Sequence, residues 1–246
     1  MKITIKKVLL ALVAAIIILI AIAAIYFYPV ITMSPAKTGE IPGTSIYAAK
    51  NVMGAVYFVK TNAGYIMVDA GTDAKGLLST MGELNIGTNE VKWILITHSD
   101  YDHVSGLALF PGAKIYMNED EMKMLDGTEK RNASKGNSLP AGVNVNAVNL
   151  LGNGQKLTFG GIEVECLKAP GHTIGSMLYL VDGSYLFTGD AFSLSKGKLG
   201  IHPFTMDKER ARQTIDEFRD TVNNSRYVLS THYGYYPILF LSYKFQ

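Results

Sequence analysis

The chain has 246 residues, 48% of them hydrophobic, and a formal net charge of +2. Its basic residues are scattered, without a stripe of interleaved aromatics, which argues against a nucleic-acid partner. The single cysteine, Cys166, excludes an internal disulfide and a cysteine-rich zinc or iron–sulfur ligand set, so any metal must be held by His, Asp and Glu.

Val8 to Tyr28 is an uninterrupted apolar run preceded by Lys2, Lys6 and Lys7. A hydrocarbon core needs about 20 such residues. Ile16 to Ile20 is apolar on every helical face, which disfavours a buried core helix. The lysines place the N-terminus on the cytoplasmic side and the rest of the chain outside, with Tyr26, Phe27 and Tyr28 as an interfacial aromatic belt. The run predicts an uncleaved single-pass anchor over residues 1–30. The alternative is secretion after cleavage near Ala23, since Ala21-Ile22-Ala23 is an A-x-A-like site. Residues 31–44, with Pro35, Gly39, Pro42 and Gly43, read as a linker. Residues 45–246 read as one globular domain, for which enough hydrophobic sequence remains.

Within that domain, Val56–Lys60 and Tyr65–Asp69 flank Asn62-Ala63-Gly64 and predict a hairpin. A helix follows to about Leu84, capped by Thr72 or Asp73. Val91–Ile96 is a buried strand. Ser105–Phe110 reads as a short helix, Lys114–Met117 as a strand and Glu119–Leu125 as a helix. Gly127–Gly142 is polar and predicts a loop over a site. Strands are expected at Val143–Leu150, Glu163–Leu167, Met177–Val181 and Tyr185–Thr188, with Asp182-Gly183 as a tight hairpin turn. Ala191–Thr205 shows no clear element. Asp207–Val222 reads as a helix and Tyr227–Ser230 as a strand, and the aromatic tail Tyr235–Phe245 suits a closing helix or strand. The mixture suits central sheets with helices outside.

Four segments carry chemistry. They are His98-Ser99-Asp100-Tyr101-Asp102-His103, Pro170-Gly171-His172-Thr173, Thr188-Gly189-Asp190 and Ser230-Thr231-His232-Tyr233-Gly234. Each sets an imidazole or carboxylate after an apolar strand-like run, and together they use four of the five histidines. Singly, Asp100, Asp102 and Asp190 read as turn or cap residues, and His172 and His232 as hydrogen-bonded histidines. Jointly, crowded carboxylates and imidazoles are explained by bound cations. His202 fits no motif and reads as a loop residue. Cys166 reads as a small core residue, and Ser105 and Thr173 as capping or supporting residues.

This ordered set resembles the metallo-β-lactamase superfamily, whose signature is HxHxDH followed by a His after Gly, an Asp after Gly and a final His. The resemblance covers Ile46 to Gly234. It implies an α/β fold, a four-layer αββα sandwich with the metals at one edge of two sheets. It also implies two divalent ions, zinc first. His98 and His172 would bind one, Asp102, His103 and His232 the other, and Asp190 would bridge them. Asp100 stands where the family usually has His. An added oxygen ligand there shifts preference toward iron or manganese, unless Asp100 is too short to reach and the first site is weak.

With two cations, a bridging water loses its proton near neutral pH and becomes the nucleophile. Asp102 and Asp190 belong to that machinery. Tyr233 is a candidate donor to a developing oxyanion, with packing as the alternative. No G-x-S-x-G nucleophile motif is present. The expected activity is hydrolysis of a small ester, lactone, thioester or amide by a membrane-tethered enzyme. The rivals are an iron-dependent redox enzyme, motivated by Asp100, and a non-catalytic protein of the same fold. The sequence does not fix the oligomeric state.

Overall fold

A computed structural model describes residues 5–131 and 137–243. The chain divides into two compact units, residues 1–33 and 34–246. The first is a helix, α1 (Ile5–Ile31). Its Ile5–Ile25 portion has a mean hydropathy of 3.4 and is exposed on every face, so it is long and apolar enough to cross a membrane.

The second unit holds two large sheets. The first runs β1 (Gly39–Glu40), β2 (Ile46–Asn51), β3 (Gly54–Thr61), β4 (Gly64–Val68), β5 (Val91–Leu95), β6 (Lys114–Asn118) and β7 (Asn149–Leu151), in that order. The second sheet is built from β8 (Gln155–Phe159), β9 (Ile162–Lys168), β10 (Met177–Val181), β11 (Tyr185–Gly189), β14 (Tyr227–Ser230) and β15 (Gly234–Pro237). Its spatial order is β15-β14-β11-β10-β9-β8. A small third sheet joins β12 (Ser193–Ser195), β13 (Lys198–Gly200) and β16 (Ser242–Tyr243). The helices are α2 (Ala74–Glu83), α3 (Tyr101–Val104), α4 (Glu119–Leu125), α5 (Lys208–Glu217) and α6 (Arg219–Asn224).

The period-2 alternation of β3 explains the layering. Tyr57 and Val59 point into a core shared by the two sheets, with Val68, Leu95, Cys166, Tyr179, Phe187 and Leu229. Val56 and Phe58 point the other way, into a core shared with Leu77 and Met81 of α2. A strand buried on both faces belongs between another sheet and a helical layer, and the result is the expected αββα sandwich. Both sheets are mixed. β4, β5 and β6 are parallel neighbours in one, and β11 and β14 are parallel in the other. The loops leaving β5, β11 and β14 carry His98, Asp190 and His232.

Several elements differ from the sequence reading. The proline- and glycine-containing segment 31–44 is not a free linker throughout. β1 lies within it, and Ile41 is buried in the inter-sheet core, because the same residues that loosen a chain also make tight turns. Val143–Leu150 is a 3-10 turn at Val145–Ala147 leading into the short β7. Ser105–Phe110 reduces to a 3-10 turn at Leu107–Leu109. β8 is an edge strand with only Phe159 buried, so its sequence lacks a strong apolar alternation. Ala191–Thr205 contains the β12–β13 hairpin, turned at Lys196 and Gly197, both with positive φ. The helix expected over Asp207–Val222 is two helices meeting at Phe218, with Asp207 as N-cap. The tail forms β15, a 3-10 turn at Ile238–Phe240 and β16, and residues 244–246 lie outside the described residues.

Phe187 is buried and packs edge-on against Tyr57, with ring centroids 5.6 Å apart. Phe187→Ala opens a cavity between the sheets. It is expected to cost about 3–5 kcal/mol, read as a lower denaturation midpoint with an unchanged slope. A loss under 1 kcal/mol would contradict this account of the core.

Candidate metal centre

The four motifs converge. One oxygen, Asp190 Oδ2, lies 3.5 Å from His103 Nε2, 3.5 Å from His172 Nε2, 3.3 Å from His232 Nε2 and 3.6 Å from His202 Nε2. Asp102 Oδ2 is 3.2 Å from His232 Nε2 and 3.9 Å from His103 Nε2. Asp100 Oδ2 is 3.4 Å from both His98 Nε2 and His172 Nε2, which are themselves 3.1 Å apart. All seven sequence-derived candidates, His98, Asp100, Asp102, His103, His172, Asp190 and His232, are therefore brought together. Asp100 is long enough to reach its neighbours.

These separations are a test of what the cluster fits. Charge-assisted hydrogen bonds run about 2.7–2.9 Å, and most of these contacts are longer. Ligand atoms about 2.0–2.1 Å from a tetrahedral zinc sit about 3.3 Å from one another, which matches. His103 Nε2, His202 Nε2 and Asp190 Oδ1 are buried without a hydrogen-bond partner, as donor atoms awaiting a cation are. The residues fit divalent ions.

Local backbone chemistry aims each group. Asp190 follows Gly189, whose φ of +49° is left-handed and whose Cβ position would collide with Thr97, so glycine is required there. Gly171, before His172, packs against the Ala211 backbone of α5 in the same way. His103 lies on α3, whose single turn places it beside His98 at a ring-centroid distance of 3.9 Å.

Two buried carboxylates that sequence reasoning did not single out hold the loops in register. Asp69 accepts hydrogen bonds from Thr97 N (2.8 Å) and Thr231 Oγ1 (3.2 Å) and contacts His103 Nδ1 (2.8 Å). It thereby ties the His98, His103 and His232 segments together. Glu121 accepts from Ser99 N (2.7 Å), Ser99 Oγ, Thr173 Oγ1 and Gly175 N (3.1 Å), joining the His98 and His172 loops. His232 Nδ1 faces the Met53 carbonyl at 2.9 Å. With the Nδ1 atoms of His103 and His232 on acceptors, their Nε2 atoms face the cluster and would offer lone pairs to a bound cation.

Arg131 was also missed. Its Nε is 2.8 Å from Asp100 Oδ2, and it donates to the carbonyls of His172 (2.7 Å) and Phe204 (2.8 Å). The Asp100–Arg131 pair carries no net charge, as a neutral histidine in that place would carry none. Asn137 Nδ2 donates to Asp100 Oδ1 at 3.0 Å. The described ends of the Gly127–Gly142 loop thus reach the centre, and residues 132–136 lie outside the described residues. His202, read as a loop residue, is buried in the cluster beside His172 and His232. Nothing in its own sequence neighbourhood marks it. Tyr233 is buried, its ring 5.9 Å from that of His202, and burial together with Asp190 raises its phenol above the ordinary range.

Electrostatics show the cluster's demand for positive charge. Burial opposes protonation of His232, yet Asp190 and Asp102 outweigh it and raise its pKa to about 10. Burial is likewise outweighed at His103, by Asp69, Asp190 and Asp102. Burial wins at His172 and His202, which fall to about 3 and about 4. Burial also opposes ionisation of Asp100, Asp102 and Asp190, but the facing imidazoles hold all three below the usual carboxylate range, with Arg131 assisting at Asp100. In the metal-free chain the raised His232 gives stability that is complete below its ordinary value of 6.5 and lost as pH climbs to about 10. The lowered His172 and His202 act only below 6.5. With divalent ions bound the ligands must be unprotonated, so acid releases the ions. The stripped protein is therefore expected to lose thermal stability as pH rises from 6.5 toward about 10, a loss the loaded protein, whose His232 binds unprotonated, does not share; both forms lose stability on acidification. An alkaline loss of the same size in both forms would contradict this.

Comparison with known proteins agrees with this geometry. A family model described as the metallo-beta-lactamase superfamily matches residues 49–232. A probable polyketide biosynthesis zinc-dependent hydrolase from Bacillus subtilis is 28% identical over 175 residues, 70% of this chain and 65% of that protein. A hydroxyacylglutathione hydrolase from Serratia proteamaculans is 29% identical over 139 residues, 54% of this chain and 45% of that protein. The chain thus spans two-thirds or less of these relatives. Among solved structures, a subclass B3 metallo-beta-lactamase of Bradyrhizobium japonicum superposes with a TM-score of 0.61 at 20% identity, covering 81% of this chain and 79% of that one. At that identity the likeness shows the fold.

Proposed function

This chain belongs to the metallo-β-lactamase superfamily, and from that premise we propose that it is a metal-dependent hydrolase of a small ester, lactone, thioester or amide, tethered to a membrane by α1. The carrying observation is the single Asp190 oxygen with imidazole nitrogens around it at 3.3 to 3.6 Å. In this reading His98 and His172, with Asp100, would hold one divalent ion, Asp102, His103 and His232 would hold a second, and Asp190 would serve both. Such ions supply a nucleophile at neutral pH and polarise the bond to be cleaved.

The chain's own residues do the rest. Asp102 is the most open ligand, its side chain 33% exposed against 4% or less for Asp190 and the histidines. Substrate therefore approaches from the Asp102 side. Tyr233 keeps its proton and is suited to donate a hydrogen bond rather than to act as a base. A thioester is favoured within the substrate class by the Serratia proteamaculans relative, named for hydrolysis of hydroxyacylglutathione. Zinc is favoured over a redox metal by the Bacillus subtilis relative, named as a zinc-dependent hydrolase.

Zinc-loaded full chain is expected to hydrolyse thioesters or lactones in a substrate screen. Asp102→Ala and His103→Ala should each lower kcat/KM by about a thousandfold, roughly 4 kcal/mol of lost stabilisation. Full activity after chelation, or in both variants, would contradict the assignment.

The tether is tested separately. The full chain should stay with membranes through high-salt and alkaline washes, and protease added outside intact cells should reach the folded unit. Release by high salt, or protection from external protease, would contradict a single-pass anchor with the hydrolase outside.

A further inference from the structure

The ligand assignment above leaves one imidazole of the cluster without a role. We infer that His202 is itself a metal ligand, a further nitrogen donor beside His172 on the side of the centre where Asp100 replaces a histidine. This rests on the metal-centre reading of the preceding subsection.

His202 is 2% exposed, and its Nε2 is buried without a hydrogen-bond partner. That atom is 3.6 Å from Asp190 Oδ2, against 3.5 Å for His172 Nε2 to the same oxygen. The two rings lie 4.9 Å apart at 83°, and donor atoms of His172, Asp190 and His202 all fall within 4.8 Å of one another. A separation of 3.6 Å is too long for a hydrogen bond and close to the edge of a zinc coordination polyhedron, about 3.3 Å. A buried, unpaired nitrogen aimed at a shared carboxylate is costly to keep unless something binds it.

The fold delivers this ring deliberately. The β12–β13 hairpin turns at Lys196-Gly197 and returns the chain to the centre. Ser193 Oγ donates to the Ile201 carbonyl at 3.2 Å and Thr205 N to the His202 carbonyl at 3.2 Å. Phe204 and Tyr233 pack against the ring at 5.8 and 5.9 Å. Ligation through Nε2 places the proton on Nδ1, where the contact given up among the described residues is a long one from Phe204 N at 3.4 Å. On this side Asp100 already shares its oxygen with Arg131 at 2.8 Å. His202, grouped with His172 and Asp190, would thus offer the centre the imidazole nitrogen that the Asp100 position withholds.

The test uses the full chain in detergent, stripped and reloaded with Co(II), comparing wild type with His202→Ala and His202→Cys. Wild type should bind two ions. His202→Ala should weaken one of them by about tenfold or more in chelator competition and change the visible d–d spectrum, leaving the other ion unaffected. His202→Cys should show a near-ultraviolet thiolate-to-cobalt charge-transfer band absent from wild type, whose one cysteine is sealed in the inter-sheet core. Wild-type affinity and spectrum in His202→Ala, with no charge-transfer band in His202→Cys, would overturn the inference. If His202→Ala does not fold, the band alone decides it. Two ions in wild type with no band in His202→Cys would sink this assignment and spare the hydrolase reading, whereas no cobalt bound by wild type would sink both.

Discussion

A buried carboxylate oxygen ringed by imidazole nitrogens is the constraint around which this fold is arranged. Asp190 Oδ2 has four such neighbours between 3.3 and 3.6 Å, and Asp100 and Asp102 crowd the same space. Arg131 Nη2 reaches His172 Nε2 at 3.1 Å, but His103 Nε2, His202 Nε2 and Asp190 Oδ1 stay without a hydrogen-bond partner among the described residues, and burial removes the solvent that would otherwise screen the cluster. Protons drawn onto His103 and His232 relieve part of the charge. Divalent ions would relieve all of it, and the ligand types are those that hard and borderline cations prefer. Everything else about the centre serves to keep those donors facing inward.

That service falls to residues that touch no substrate. Asp69 connects three ligand segments from two sheets, and Glu121 connects two. Both are buried among backbone and hydroxyl donors, so the loops they tie are fixed before any ion arrives. This is preorganisation in the ordinary physical sense: the cost of holding like charges together is met by folding and not by binding. Gly189 and Gly171 make it possible, since a side chain at either would push Thr97 or Ala211 aside. The hydrophobic sandwich contributes by aligning the C-terminal ends of β5, β11 and β14 at one edge.

Much of this was legible in the sequence. Ligands that follow strong apolar strands, such as His98 after Val91–Leu95 and Asp190 after Tyr185–Gly189, announce themselves because strand pattern and ligand chemistry reinforce each other. The αββα layering was implied by the family resemblance that the ordered motifs carry. The supporting shell was harder to see. Asp69 closes the apolar run Tyr65–Asp69, and Glu121 sits in a short, charged helix, so nothing local marks either as a buried carboxylate. Arg131 lies in a polar loop. His202 follows weak, three-residue strands whose pairing depends on a turn with a non-glycine residue at positive φ, so nothing local flags it. β8 escaped notice because an edge strand buries little, and the break at Phe218 because helical periodicity runs across it. In each case the missing information was tertiary: which segments the sheets bring together.

The proposal at the centre of this account is that Asp190 Oδ2 would be shared by two divalent ions held by the surrounding imidazoles and carboxylates. Anomalous diffraction at the zinc edge, from crystals of the zinc-loaded chain, tests it directly. Two peaks flanking that oxygen, each about 2.0–2.2 Å from its ligand atoms, are the predicted result. Absence of any peak within reach of Asp190, or ions bound only elsewhere on the molecule, would contradict it.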